Sequence, residues 1–228
     1  MTFRRIPAGK FIMGSPVFEP LRRVDETQRT VTITKPFYLG QTEVTQAQWK
    51  AVMNTNPALH QGDLQLPIEN VNWEQANAYC QMLTKAFAAR KYKFRLPTEA
   101  EWEYACRAGT TTMFGFGNDL TRLTEYAWVG RNSRNETHPV GQLTPNAWGL
   151  YDMHGNIAEM CQDWLAPYDP KATADPVYAT PALSRVNRGG TTFATEENLH
   201  LIRSASRGGN PPGEVRGYLG FRVALESP

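Results

Sequence analysis

After Gly109 the chain carries no apolar periodicity long enough for a helix, which restricts it to folds whose second half is loops and short strands. Gly, Pro, Asn and Trp dominate there, with short apolar pieces at residues 199–202 and 221–224 that read as strands. Before Gly109 the pattern differs. Residues 29–34, RTVTIT, alternate β-branched and polar side chains, and residues 37–39, FYL, form a second short apolar piece after Pro36. Three helix starts follow: Thr45 with Gln48, Asn72 with Gln75, and Thr98 with Glu101. In each pair the first side chain satisfies an amide that the helix leaves unpaired, and the second reaches back to the cap. The second helix is predicted from Trp73 to about Ala88, with Ala76, Tyr79, Cys80 and Leu83 on its core face. The third is predicted to end at Gly109. Helices followed by irregular β structure predict an α+β fold. No repeat or linker interrupts the chain, so residues 1–228 are predicted to form one domain.

Charge narrows the partners. The formal net charge is +2 with both signs interleaved, so no basic footprint for nucleic acid is expected. No apolar run is long enough for a membrane span. The first residues, MTFRRIPAGKF, place no apolar segment behind their two arginines, so they are not read as a signal peptide. Cys80, Cys106 and Cys161 are too few and too scattered for a disulfide framework, and a reducing, cytoplasmic setting is the expectation. CxxC, HExxH, P-loop and GxSxG motifs are absent from the sequence.

At RLPTEAEWEYACRAG (95–109) the chain resembles the sulfatase-modifying-factor family of the formylglycine-generating enzymes. That family also includes a domain of sulfoxide synthases and a pyoverdine-maturation protein. The resemblance continues in order through IPAGKFIMGS (6–15), PFYLGQTEVTQAQW (36–49) and PIENVNWEQANAYC (67–80). It runs on through HPVGQLTPNAWGLYDMHGN (138–156), RVNRGG (185–190) and LGFRVA (219–224). It implies the family's variant of the C-type-lectin fold, poor in regular secondary structure.

The resemblance also implies what is missing. The copper-dependent members carry a C-x4-C pair beginning four residues after the RGG glycines, and those positions here are Ala194 and Leu199. Neither supplies the thiolate that copper(I) needs. Thr191 stands for the family's serine after RGG, and Ala158 and Met160 replace the tryptophans of its GNVWEW motif. Formylglycine generation with copper is therefore not expected. The three cysteines are expected to be small apolar filling.

An ion site is expected at Asp152-Met-His-Gly155-Asn-Ile157-Ala-Glu159. Asp152 and Glu159 offer carboxylates, Gly155 and Ile157 offer carbonyls, and hard cations take such oxygens. A hydrogen-bonded turn without metal is the competing reading. The matching family positions hold calcium in a structural role, so calcium is the cofactor implied. His60, His138, His154 and His200 show no metal-ligand spacing, and only His200 neighbours the expected ligand surface. Arg188 and Arg222, inside RGG and GFR, are expected to be structural, since Arg forks bond carbonyls and carboxylates in loop-rich folds.

Three functions remain open on sequence. The first is a non-catalytic binding or accessory module for a protein or small-molecule ligand, using Thr191, Phe193, Glu196, Glu197, His200 and Tyr218. The second is an enzyme of other chemistry in the same groove, with Glu197 and His200 the acid–base candidates. The third is a purely structural domain of a larger assembly.

Overall fold

A computed structural model describes residues 1–226, the side chain of Glu196 excepted, so the expectation placed on that side chain lies outside the described residues. All three capping boxes form. Thr45 opens α1 (Gln46–Met53), Asn72 opens α2 (Trp73–Ala86), and Thr98 opens α3 (Glu99–Arg107). α2 stops before the predicted end, and residues Ala88–Arg90 continue as one 3-10 turn. α3 ends one residue early as well: Ala108, not Gly109, takes the first left-handed conformation, with φ 46°.

Strands β1 (Phe3–Ile6), β4 (Phe37–Gly40), β5 (Lys93–Arg95) and β10 (Ala224–Glu226) form an antiparallel sheet in the order β1-β4-β10-β5. Strands β2 (Gly9–Met13) and β3 (Arg29–Ile33) pair as a hairpin-like ribbon, with Val31 and Ile33 pointing into the core. The third sheet runs β8-β7-β6-β9, from β6 (Ala158–Trp164), β7 (Arg185–Arg188), β8 (Gly208–Asn210) and β9 (Leu219–Gly220). Two short helices follow, α4 (Leu123–Tyr126), entered through a 3-10 turn at Leu120–Arg122, and α5 (Gly130–Ser133). The predicted strand at residues 199–202 is instead part of a 3-10 turn, Glu196–Leu201. Its apolar residues face a pocket of loops rather than a neighbouring strand, so nothing supplies a ladder.

Apolar packing divides into three clusters. The first centres on Trp102 of α3 with Ile6, Met13 and Phe37. The second lies beneath α1 and α2, where Trp49 stacks on Tyr79 at 5.5 Å and both meet Phe221 edge-on. The third gathers Phe114, Leu123, Val129, Ala194, Leu199 and Ile202, and no regular sheet backs it.

Buried arginines hold the irregular half together. Arg188 reaches Glu99 and Glu103 and also the carbonyls of Ser204 and Ser206. Arg203 meets Glu26 through both nitrogens, at 2.9 and 2.5 Å, and Glu19 at 2.5 Å. Removing one partner of such a buried pair strands a charge and costs about 3–5 kcal/mol. Both Arg188 and Arg222 are structural, as the sequence predicts.

Candidate functional site

Gly189 and Gly190 turn the chain out of β7 with φ of 91° and 72°. A Cβ on Gly190 would stand 2.3 Å from a methyl of Ile202 and 2.8 Å from the Leu201 carbonyl, so only glycine lets the two arms of the following loop close. The loop is then pinned from outside. The Thr192 amide donates to Asn156, Ser133 donates its hydroxyl to the Thr192 carbonyl, and the Gly130 amide donates to the Ala194 carbonyl at 2.8 Å.

This pinning turns Ala194, Thr195 and Leu199 toward a hollow of about 330 Å³. Leu120, Leu123 and Val129 wall its second side, and Leu21 its third. Arg203 sets the third wall, because besides Glu19 and Glu26 it binds the Leu21 carbonyl at 3.0 Å. The loop carrying Leu21 is thereby fastened to the residue beside Ile202. Thr121, Thr195 and Arg131 supply the polar lining. Leu21 and Leu120 line the hollow and are each more than two-fifths exposed, so it opens beside apolar side chains. Exposed apolar surface gathered round a concavity marks an interaction site more often than scattered single residues do.

The sequence-derived candidates divide. Thr191 is half-buried and accepts a hydrogen bond from the Phe193 amide; Phe193 projects outward, 46 % exposed. Glu197 is exposed and His200 half-buried, and among the described residues no hydrogen bond or ion pair joins their side chains to each other or to a third group. Tyr218 lies elsewhere: it packs against the second cluster and does not line the hollow. Sequence reasoning missed Leu21, Leu120, Thr121 and Arg131, whose positions far along the chain give no local signal.

The expected ion site is only partly assembled. Gly155 turns at φ 77° with the Trp128 carbonyl so close that a Cβ would stand 2.1 Å from it. Asp152, also left-handed at φ 56°, takes the Gly141 amide on Oδ2 at 2.7 Å, and its carboxyl is hydrogen-bonded to the Glu43 side chain. Glu159 is already committed. Arg222 holds both its oxygens and Trp102 donates to one of them at 2.8 Å. Glu43 takes the Asn156 amide on Oε1 and turns its buried carboxyl to Asp152. Burial, then the charges of Asp152 and Glu159, hold the Glu43 carboxyl well above its usual range. Asp152 is raised too, first by burial. Of the three carboxyls at this turn, Asp152 and Glu43 are bonded to each other and Glu159 is paired with Arg222.

None of the cysteines lines the hollow, and all three are chemically quiet. All three are buried and free. Burial pushes the Cys80 and Cys106 thiols up to about 12 and Cys161 well above its ordinary value, so none offers a thiolate near neutral pH. Ala194 and Leu199 bring a methyl and an isobutyl group, without sulfur, to the lining of the hollow. Among the described residues no group of three His, Cys, Asp or Glu side chains is arranged to hold a metal ion, and no helix is long and apolar enough to cross a membrane.

Known proteins place this arrangement. A formylglycine-generating enzyme of Streptomyces coelicolor is 35% identical over 175 residues, covering 71% of this chain and 53% of that protein. The mouse formylglycine-generating enzyme is 35% identical over 173 residues, 70% of this chain and 44% of its own length. The chain thus spans about half the length of these relatives. Among solved structures, the Treponema denticola variable protein 1 superposes with a TM-score of 0.85 at 31% identity, covering 97% of this chain and 94% of that one. PvdO from Pseudomonas aeruginosa superposes at 0.88 with 28% identity, covering 98% and 94%. These neighbours agree with the predicted mixed α and β fold of the formylglycine-generating-enzyme type. The match to the sulfatase-modifying factor enzyme 1-like domain extends over residues 2–227, and the chain belongs to that family.

Proposed function

We propose that this domain is a binding or accessory module, not a formylglycine generator, and that it receives an apolar group of a protein or small-molecule ligand in the hollow beside Ala194 and Leu199. The hollow itself carries the reading. Where the resemblance sets a thiolate pair, a methyl and an isobutyl group line an apolar cavity, and exposed Leu21 and Leu120 extend it outward. Burying one leucine-sized side chain there is worth about 1.5–3 kcal/mol, and Phe193, exposed one residue before Ala194, has the features of an aromatic anchor. An enzyme in the same groove needs a base held by an orienting partner, and neither Glu197 nor His200 has one among the described residues. The Treponema relative, similar across nearly the whole of both chains, is named a variable protein and not an enzyme.

The test is selection from a random peptide library displayed on phage. Enriched peptides are expected to share an apolar residue, to lose binding to Leu199→Arg and Phe193→Ala protein, and to bind Glu197→Gln protein like the parent. Failure to enrich any sequence, or equal binding by Leu199→Arg protein, rejects the hollow as the recognition surface.

A further inference from the structure

A larger groove lies apart from this hollow, between α1, α2 and the sheet β1-β4-β10-β5. It measures about 600 Å³, within the roughly 300–1,000 Å³ of ordinary small-molecule sites. Six aromatic side chains line it: Phe3, Tyr38, Tyr79, Phe87, Tyr92 and Phe94. Phe94 is the hub, with the rings of Phe3, Phe87 and Tyr92 at 6.1, 5.6 and 6.4 Å. Gln48 is the one amide in the lining, and none of the lining side chains is charged.

The sheet register brings a cation to the end of this surface. Arg5 pairs with Tyr38, Tyr38 with Leu225, and Leu225 with Phe94, so the four make one cross-strand row on one face of the sheet. Phe3, two residues before Arg5 on the same strand, shares that face. Arg5 is exposed, and among the described residues it has no hydrogen-bond or ion-pair partner. Direct cross-strand neighbours stand about 5 Å apart at Cβ, which is within the reach of a guanidinium. An aromatic trough without acids, ending in an unpaired arginine, complements a molecule that is flat or chain-like and apolar along its length and anionic at one end.

We propose that this groove is a second binding site, specific for a small anionic amphiphile whose apolar body lies on Phe94 and Tyr38 and whose acidic head meets Arg5. The site is independent of the hollow beside Ala194 and shares no lining residue with it. Two fluorescent probes that differ only in charge test it: anilinonaphthalene sulfonate and the uncharged phenylnaphthylamine. Both are expected to bind the parent protein saturably at one site. Arg5→Gln should weaken the sulfonate about tenfold and leave the uncharged probe unchanged. Ala51→Trp places an indole in the groove from an exposed position of α1 and should abolish both; Val52→Trp serves if the first variant loses its helical circular dichroism. Leu120→Asp, in the hollow, should bind both probes like the parent. The proposal is overturned if neither probe saturates, if the folded tryptophan variant binds normally, if Leu120→Asp removes binding, or if Arg5→Gln fails to separate the two probes.

Discussion

Arg222 meets Glu159 with both arms of its fork, Nε at 2.5 Å from one carboxylate oxygen and Nη2 at 2.6 Å from the other. Both side chains are fully buried, and the remaining guanidinium nitrogen reaches the Gly40 carbonyl at 3.1 Å. One residue of the LGFRVA motif thereby ties β6 to the first sheet. Arg222→Met should cost about 3–5 kcal/mol, because it leaves Glu159 charged and unpaired. The double variant Arg222→Met, Glu159→Gln should recover a large part of that loss. Chemical denaturation of the parent, both single variants and the double variant measures the coupling. An additive double variant would mean that the pair is not the unit of stability.

With Glu159 taken by Arg222, a cation at this turn must rely on the Asp152 and Glu43 carboxyls and replace the hydrogen bond they share. Calcium is expected to raise the melting temperature of the parent protein and to leave Asp152→Asn and Glu43→Gln unmoved. A ligand at a hundred times its Kd adds roughly 2.7 kcal/mol to the native state. Scanning calorimetry with calcium and with chelator reads the shift directly. An unchanged parent melting temperature would remove calcium from this turn.

Acid should act through His154. Its Nδ1 lies 2.7 Å from the Ile202 carbonyl and its Nε2 accepts the Gly115 amide at 3.1 Å, so the neutral ring is fully used. Burial lowers its pKa from 6.5 to about 4. The unfolded chain therefore takes up this proton first, and the stabilisation is present above pH 6.5 and lost as pH falls toward 4. Asp163 runs the other way: burial and then Glu99 raise it to about 7, so its contribution falls as pH rises from about 4 to 7. Comparing the parent with His154→Gln cancels Asp163. Between pH 7 and pH 4 the parent should lose about 3 kcal/mol more than the variant, the size of a shift of that extent. Parallel stability curves would show that His154 titrates normally.

Local chemistry explains what the sequence revealed. Each capping box needs only four consecutive residues, so Thr45, Asn72 and Thr98 announced their helices without help from the rest of the fold. The hollow needs partners from three distant segments. Leu21 reaches Leu199 only because Arg203 binds Glu19, 184 positions away, and Glu26, 177 away, and no periodicity encodes such a pairing. The same limit explains the misread piece at residues 199–202. Its apolar residues suit a strand, but their partners are Phe114, Leu123 and Val129, which come from loops and one short helix. Tyr218 follows the same logic: nothing in its neighbourhood along the chain encodes its packing against the second cluster rather than in the hollow.

Ala194 and Leu199 line one hollow, and that geometry yields the strictest test of the reading without copper. Parent protein supplied with copper(I) and a cysteine-containing peptide of the sulfatase type should yield no aldehyde above a control without protein. The more informative variant is Ala194→Cys, Leu199→Cys. Both new thiols would face the same cavity, and paired thiolates suit copper(I) better than any other donor available to the chain. Competition against a chromophoric copper(I) chelator should therefore show tight binding by the double variant and none by the parent. Each single-cysteine variant should be intermediate at most. Thr191, Ala158 and Met160 remain as they are, so metal binding without turnover is the expected result. Aldehyde formed by the parent would end the reading as a non-catalytic module. Failure of the folded double variant to take copper would mean that positions 194 and 199 do not face each other as a ligand pair, and the inferred correspondence with the family's cysteines would fall with it.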